Sequence, residues 1–267
     1  MRRLWLGIAA VLSLLLVLGV AVAMSLSMSL STSTPVQAAG PLRVAAASSL
    51  ASTLPLVGEA FTARSGQPVI TAFEGTSRVV QQLRAGAPAD VFFSADSEWM
   101  DHAVARGLVQ PDTRTNMLGN SLVVVVPTNF PSAPADAAGL TRVTWRPLAL
   151  ANAPVPAGRY ARQAFEAAGV WPALKGHVVG GANVRTVLAW VARGESPAGV
   201  VYATDAQAEP GVRVAFAVPS DQHDPIVYPA AVTSHAQDPA GAQAFLAFCK
   251  GPEAAAIFQA AGFAVVP

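Results

Sequence analysis

Uncharged hydroxyls at strand-to-helix junctions are the residues in this chain whose types and spacing could do chemistry. Ser48 and Ser49 stand in "AAASSLAST", where a hydrophobic run gives way to a helix-like one. Thr76 and Ser77 repeat the arrangement in "FEGTSRVV", Pro156-Ala157-Gly158 opens a third helix-like run, and Asn183-Val184 opens a fourth. The first turn of a helix carries unpaired N–H groups and about half a positive charge from the macrodipole. Several such ends converging on one point bind an oxyanion without needing Lys or Arg. Small residues let backbone amides approach closely, and hydroxyls add donors that carry no formal charge. Taken one at a time, each of these residues reads as an ordinary N-cap. Four such junctions in one two-lobed chain set anion capture beside capping.

Catalysis finds no constellation. The nearest approach to a Gly-x-Ser-x-Gly elbow, "GESPAG", lacks the fifth-position Gly and puts Pro beside the Ser. His102, His177, His223 and His235 sit singly in unrelated segments, whereas a zinc site wants two at helical or hairpin spacing. Neither a P-loop nor a dinucleotide fingerprint is present. The single cysteine, Cys249, has no partner for an intramolecular disulfide, and in "AFLAFCKG" it reads as a small buried hydrophobe on a helix. The expectation is a binding protein without enzymatic activity or cofactor, with a secreted hydrolase on an α/β scaffold as the rival from another class.

These junctions must be positioned by a fold outside the cytoplasm. Arg2 and Arg3 precede the uncharged run "LWLGIAAVLSLLLVLGVAVA", and a small-residue stretch follows, ending in "VQA" before Ala39. That order is a secretory signal, so residues 1–39 are expected to be removed and the protein to work in the periplasm. The apolar run is also long enough to span a bilayer, which leaves an uncleaved anchor as the alternative. Of 17 basic residues two fall in this segment, leaving 15 against 16 acidic ones, a formal charge of −1. A nucleic-acid partner would call for a basic stripe, and none is present.

From residue 42 short β-like runs alternate with helix-period segments, which indicates α/β with largely parallel sheets. "LRVAAA", "PVITAF" and "ADVFFSA" read as strands, separated by helices over "LASTLPLVGEAFTARSG" and "SRVVQQLRAG". Asp96 is the expected N-cap of "SEWMDHAVARG". After a Pro/Ala-rich loop at 128–139 the alternation restarts with "RPLALANA", and in "NVRTVLAWVARG" Val184, Val187, Leu188 and Val191 keep helical spacing behind Asn183 as N-cap. Two α/β halves result, with "NSLVVVVP" and "IVYPAAV" as the strands that cross between them and return the C-terminal helices to the first half. The expected division is 40–122 for the first lobe, 123–227 for the second, and 228–267 for the return. A cleft between two such halves is a preferred place for a ligand.

The chain resembles the periplasmic molybdate-binding proteins of ABC importers, of the type II periplasmic binding protein family. "VAAASSLASTL" is similar to that family's first strand–loop–helix, and "AGAPADVFFSADSEWMDHAV" followed by "TRTNMLGNSLVVVVP" is a long and specific match. "APVPAGRYARQAF", "NVRTVLAWVARGESPAGVVYATDA", "VYPAAV" and "GPEAAAIFQAAGF" match later blocks in order, so the likeness covers nearly all of 42–266. It implies a periplasmic-binding-protein fold of two α/β lobes, with mixed, mostly parallel sheets and a ligand cleft between them. The implied ligand is molybdate or tungstate, held by neutral donors and handed to a membrane permease by a protein that works as a monomer. Carried over residue by residue, the hydroxyls are those of Ser49 and Thr76, the amides those of Ala157 and Val184, and the phenol of Tyr202 closes the site. Ser48 and Ser77 are secondary candidates. Molybdenum enters only as the oxyanion, through these same residues.

Three departures bear on the site. Ser48 stands where the family has a small residue, and Thr76 where Ser is commoner. Pro55 removes an N–H early in the first helix, so the helix is expected to begin later than Ser49 or to kink. Glu74 is expected to point away from a dianion, and Arg78 and Arg185 to be solvated on their helix faces. Within the binding class the alternative is a sulfate- or phosphate-type carrier.

Overall fold

The run Leu122–Pro127 is buried along its whole length, as a strand covered on both faces must be. With the other strands it forms two sheets in the computed structural model, which describes residues 40–266. The expected signal segment, 1–39, lies outside the described residues. Among the described residues no helix is long and apolar enough to cross a membrane.

The first sheet begins with β1 (Leu42–Ala47), α1 (Leu54–Ser65), β2 (Val69–Glu74), α2 (Thr76–Arg84), β3 (Val91–Phe93) and α3 (Ser97–Ala105). After β4 (Thr115–Gly119) the chain enters the second sheet with β5 (Leu122–Pro127) and β6 (Leu148–Ala151). There follow α4 (Pro156–Ala167), the short α5 (Trp171–Leu174), β7 (Val178–Gly181), α6 (Val184–Ala192), β8 (Ala198–Tyr202), α7 (Ala203–Gln207) and β9 (Val212–Ala217). The chain then returns through β10 (Val227–Val232), α8 (Pro239–Cys249), α9 (Pro252–Ala260) and β11 (Ala264–Val265).

The sheet orders are β11-β4-β10-β3-β1-β2 and β7-β6-β8-β5-β9. Each is built round a parallel trio wound the same way, β2-β1-β3 in one and β7-β6-β8 in the other. A parallel neighbour needs a helical crossover, which is why strand–helix alternation in the sequence maps onto these trios. The remaining pairings, made by β10, β4, β11, β5 and β9, are antiparallel. The expectation of mostly parallel sheets therefore describes the trios, and antiparallel strands complete the sheets around them.

The chain passes between sheets twice. Only Asn120 and Ser121 separate β4 from β5, and residues 218–226 separate β9 from β10. The second passage brings α8 and α9 back to the first half, where Phe245 and Phe248 meet Phe61 of α1 edge-on, at 5.2 and 5.6 Å between ring centroids. Cys249 is buried at the end of α8, and burial pushes its thiol well above the usual range.

Local chemistry sets the helix starts. Pro55 does delay the first helix: Ser48–Leu50 form a single 3-10 turn, and α1 begins at Leu54 with proline in its first turn, where a missing N–H removes nothing. Asp96 caps α3 by accepting from Trp99 N at 2.9 Å, and Asn183 caps α6 by accepting from Thr186 N at 3.0 Å. The opening of α4 lies hard against the end of β6. A Cβ on Gly158 would overlap the Ala151 carbonyl oxygen and stand 2.7 Å from that of Asn152. Gly158→Ala is therefore expected to destabilise the protein by about 1–3 kcal/mol, the scale of overpacking against backbone that cannot give way. Gly176→Ala, at a position open to solvent, should stay within about 0.5 kcal/mol of the parent. Urea unfolding of the two variants checks both.

Candidate functional site

The loops that leave the C-terminal ends of the two parallel trios face each other, and in open α/β sheets that is where ligands bind. Ser49 follows β1, Thr76 follows β2, Ala157 lies beyond β6, Val184 follows β7 and Tyr202 ends β8. All five line one small cavity with about 190 Å³ of atom-free space, together with Ser48. Ser77 is buried on α2 and does not line it. No side chain lining this cavity carries a charge.

The hydroxyls here are not helix caps. Neither the turn at Ser48–Leu50 nor the start of α2 has a side-chain cap, and Gly75 rather than Thr76 occupies the N-cap position of α2. Thr76 Oγ1 instead accepts from the Ala95 amide at 3.1 Å, which leaves its own O–H to donate elsewhere. Ser49 Oγ lies 2.9 Å from the Tyr228 hydroxyl. The Tyr202 hydroxyl is buried with no hydrogen-bond partner among the described residues. Burial, with neighbouring phenols and carboxylates, pushes its pKa far above the ordinary value, so it stays protonated. Ala157 and Val184 stand in the first turns of α4 and α6, where an N–H has no intrahelical acceptor. The cavity can therefore present donors and little else, as an oxyanion requires. An orphaned buried hydroxyl is costly unless something accepts from it, so Tyr202 suits a cavity that takes an acceptor.

Around the cavity the two halves touch directly. Trp99 Nε1 donates to the Pro154 carbonyl at 2.8 Å. Arg159 of α4 reaches the buried Asp96 at 3.0 Å, and Glu98 and Asp224 at 3.1 Å each. A Cβ on Gly75 would come within 2.9 Å of the Ala182 carbonyl, so only glycine permits this approach. The arrangement is closed. Sequence reading missed Arg159: its signal was a basic residue two positions past Ala157, indistinguishable from an exposed helix residue until the halves are brought together.

Glu74 turns to the rim, not into the cavity, and meets Asn183 Nδ2 at 3.4 Å and Arg78 at 3.9 Å. Arg78 is solvated, as expected, with 64% of its side chain exposed. Arg185 is not. Its Nε lies 2.8 Å from Oδ1 of Asp205, which is fully buried, off the line of a good hydrogen bond, and its NH2 group donates to Ser52 Oγ at 2.8 Å. The expectation of a solvated Arg185 thus fails, because α7 places a carboxylate beneath it that the spacing of the sequence did not reveal.

Two α/β halves closing on a donor-lined cavity define a solute-binding protein of the periplasmic-binding-protein fold. The model of the family described as "Bacterial extracellular solute-binding protein" matches residues 42–264, and the chain belongs to that family. It is 38% identical over 233 residues to the molybdate-binding protein ModA of Escherichia coli K12, covering 85% of this chain and 90% of that one. The periplasmic molybdate-binding protein of Azotobacter vinelandii superposes with a TM-score of 0.75 at 28% identity, over 85% of this chain and 99% of that one. The sulfate-binding protein SubI of Mycobacterium tuberculosis H37Rv, at 18% identity over 84% of this chain and 86% of that one, shares the fold with a TM-score of 0.71. The family and these relatives bind solutes and are not enzymes, in keeping with the lack of a catalytic constellation.

Asp205 gives a pH test of the Arg185 correction. Burial raises its carboxyl from 3.8 to about 6 against the pull of Arg185 and the Tyr202 amide. A raised acid binds its proton more readily folded than unfolded, so its contribution to stability is complete below about pH 4. It is lost as pH rises through about 6, on the order of 3 kcal/mol in all. Removing the cation raises the folded pKa further and extends the loss upward. Arg185→Gln should therefore be markedly less stable than the parent at pH 8 and close to it at pH 5. Urea unfolding at the two pH values measures the difference.

Proposed function

We propose that this protein captures molybdate, and tungstate by the same contacts, outside the cytoplasm and delivers it to the membrane permease of an ABC importer. The observation that carries the reading is the meeting of Ser49, Thr76, Ala157, Val184 and Tyr202 on one uncharged, donor-lined cavity. Ser49 and Thr76 give hydroxyls, Ala157 and Val184 give amides, and the unpartnered Tyr202 phenol completes the shell. The relatives named for molybdate support the choice of ion. In this reading the two sheets belong to two lobes, 40–122 with 228–267 and 123–227, the strands themselves changing sheet one residue earlier, at Leu122 and Val227. The lobes hinge shut around the ion, and a monomer released from its 1–39 signal presents the closed form to the permease.

The same set of donors favours molybdate over two other anions. Phosphate at neutral pH carries a proton that needs an acceptor, and no carboxylate lines the cavity. Sulfate is fully deprotonated but smaller, so donors spaced for the larger ion make longer and weaker bonds to it.

Calorimetric titration with molybdate, tungstate, sulfate and phosphate tests the reading. Molybdate and tungstate should bind at least ~1,000-fold more tightly than sulfate, a gap of about 4 kcal/mol. Equal affinity for sulfate sinks the assignment of the ion and leaves the fold standing. Ser49→Ala and Thr76→Ala should each weaken molybdate binding by about one to two decades, the worth of a hydrogen bond to a charged group. Thr76→Ser keeps both the acceptor for the Ala95 amide and the donor, and should bind nearly as the parent does.

A further inference from the structure

Ser49 is one end of a hydrogen-bonded chain, buried at Tyr228 and half-buried at Asn120, that begins at the crossings between the sheets. Asn120 lies in the two-residue link between β4 and β5, and Tyr228 is the second residue of β10, just after the return crossing. Asn120 Nδ2 lies 3.3 Å from Tyr228 Oη and 2.9 Å from Thr204 Oγ1, and Tyr228 Oη lies 2.9 Å from Ser49 Oγ. Tyr228 is fully buried, with its ring edge-on to those of Tyr202 and Phe263.

The direction of every bond in this chain is fixed from its outer end. Asn120 Oδ1 accepts from the Ser121 amide at 2.9 Å, so turning the side-chain amide over would set two donors against each other. Nδ2 therefore faces Tyr228, and an amide nitrogen only donates. The phenol oxygen accepts from it, and the phenol proton has to go to its other partner, Ser49 Oγ. If Ser49 donated to Tyr228 instead, the phenol proton would be buried without an acceptor, at the full desolvation penalty. Burial also keeps this phenol protonated, since it pushes the pKa well above the usual range. With its lone pair occupied by Tyr228, Ser49 has its own proton left to direct into the cavity.

We propose that Asn120 and Tyr228 are positioning residues that form a one-way hydrogen-bond relay, holding the Ser49 hydroxyl as a donor toward the bound oxyanion. The proposal rests on the reading of Ser49 as a ligand contact. The two crossings then join the halves and also set the polarity of a cavity donor. Neither Asn120 nor Tyr228 lines the cavity. Thr76 is oriented separately, by the Ala95 amide, so the relay bears on one hydroxyl only.

A double-mutant cycle in molybdate affinity separates this role from a merely structural one. Tyr228→Phe keeps the ring packing and removes the relay, and should weaken binding about three- to tenfold. In the Ser49→Ala background the same substitution should change affinity by less than about twofold, because its effect passes through the missing hydroxyl. In the Thr76→Ala background the loss should recur at full size. Asn120→Ala should show the same pattern, coupled to Ser49 and additive with Thr76, and serves if Tyr228→Phe does not fold. A Tyr228→Phe variant that binds like the parent, or that loses as much with Ser49 already removed, overturns the relay. If the parent fails to bind molybdate, or Ser49→Ala binds it unchanged, the ligand reading falls and the relay with it. A clear loss in Ser49→Ala beside a neutral Tyr228→Phe overturns the relay alone.

Discussion

The constraint on which the rest of this structure depends is the lack of charge in the cavity. A cavity without Lys or Arg can stabilise an anion only if each polar group aims a hydrogen inward, and a hydroxyl does so reliably only when its lone pairs are engaged elsewhere. Thr76 meets that condition through the Ala95 amide and, in the relay proposed, Ser49 through Tyr228. The helix openings at Ala157 and Val184 meet it by geometry, since first-turn amides point outward with nothing to bond inside the helix. The charged groups stand at the rim, where Arg159 and Arg185 are matched with Asp96 and Asp205.

The topology follows from the need to bring such donors in from two directions. One parallel trio offers its helix openings at one end only, because all its strands point the same way. Two trios, wound alike and set to face each other, offer both sets of openings to a single point. Joining them by two crossings leaves each half its own sheet and its own crossover helices. The antiparallel strands then complete each sheet without adding helix ends that would have nothing to bind.

Much of this was legible in the sequence, and the limits have physical reasons. Strand–helix alternation showed the trios, because a buried parallel strand is a continuous apolar run and its crossover helix has a 3.6-residue period. Pro55 showed the late start of α1, since a missing N–H has a local consequence. The residues proposed to hold the anion stood out as types out of place: small hydroxyls where an amphipathic helix would put a charge. What the sequence could not show was which polar group meets which across the chain. Asp205 lies 20 residues from Arg185, and Tyr228 lies 179 from Ser49. No periodicity links either pair: packing of α6 beside α7 sets Arg185 on Asp205, and only the returning strand β10 brings Tyr228 to Ser49. For the same reason the junction hydroxyls looked like caps, a local role, when their partners are distant.

The link between β4 and β5 is two residues long, and that shortness bears on how tightly an ion is held. In the proposed hinge motion this link, with few rotatable bonds, adds little chain freedom to the open form. The balance between open and closed then falls mainly on the contacts that part at the rim: the Trp99 indole on Pro154, Arg159 on Asp96, and Arg185 on Ser52. Apparent affinity is intrinsic affinity scaled by the population able to bind. Evolution can thus adjust how long an ion dwells by altering rim residues alone, while the shell that tells one oxyanion from another stays fixed. In the function proposed, a rim held too firmly would shut the empty protein and slow capture, and one held too loosely would shorten the ion's stay. Residence time and discrimination are therefore separately tunable in this architecture.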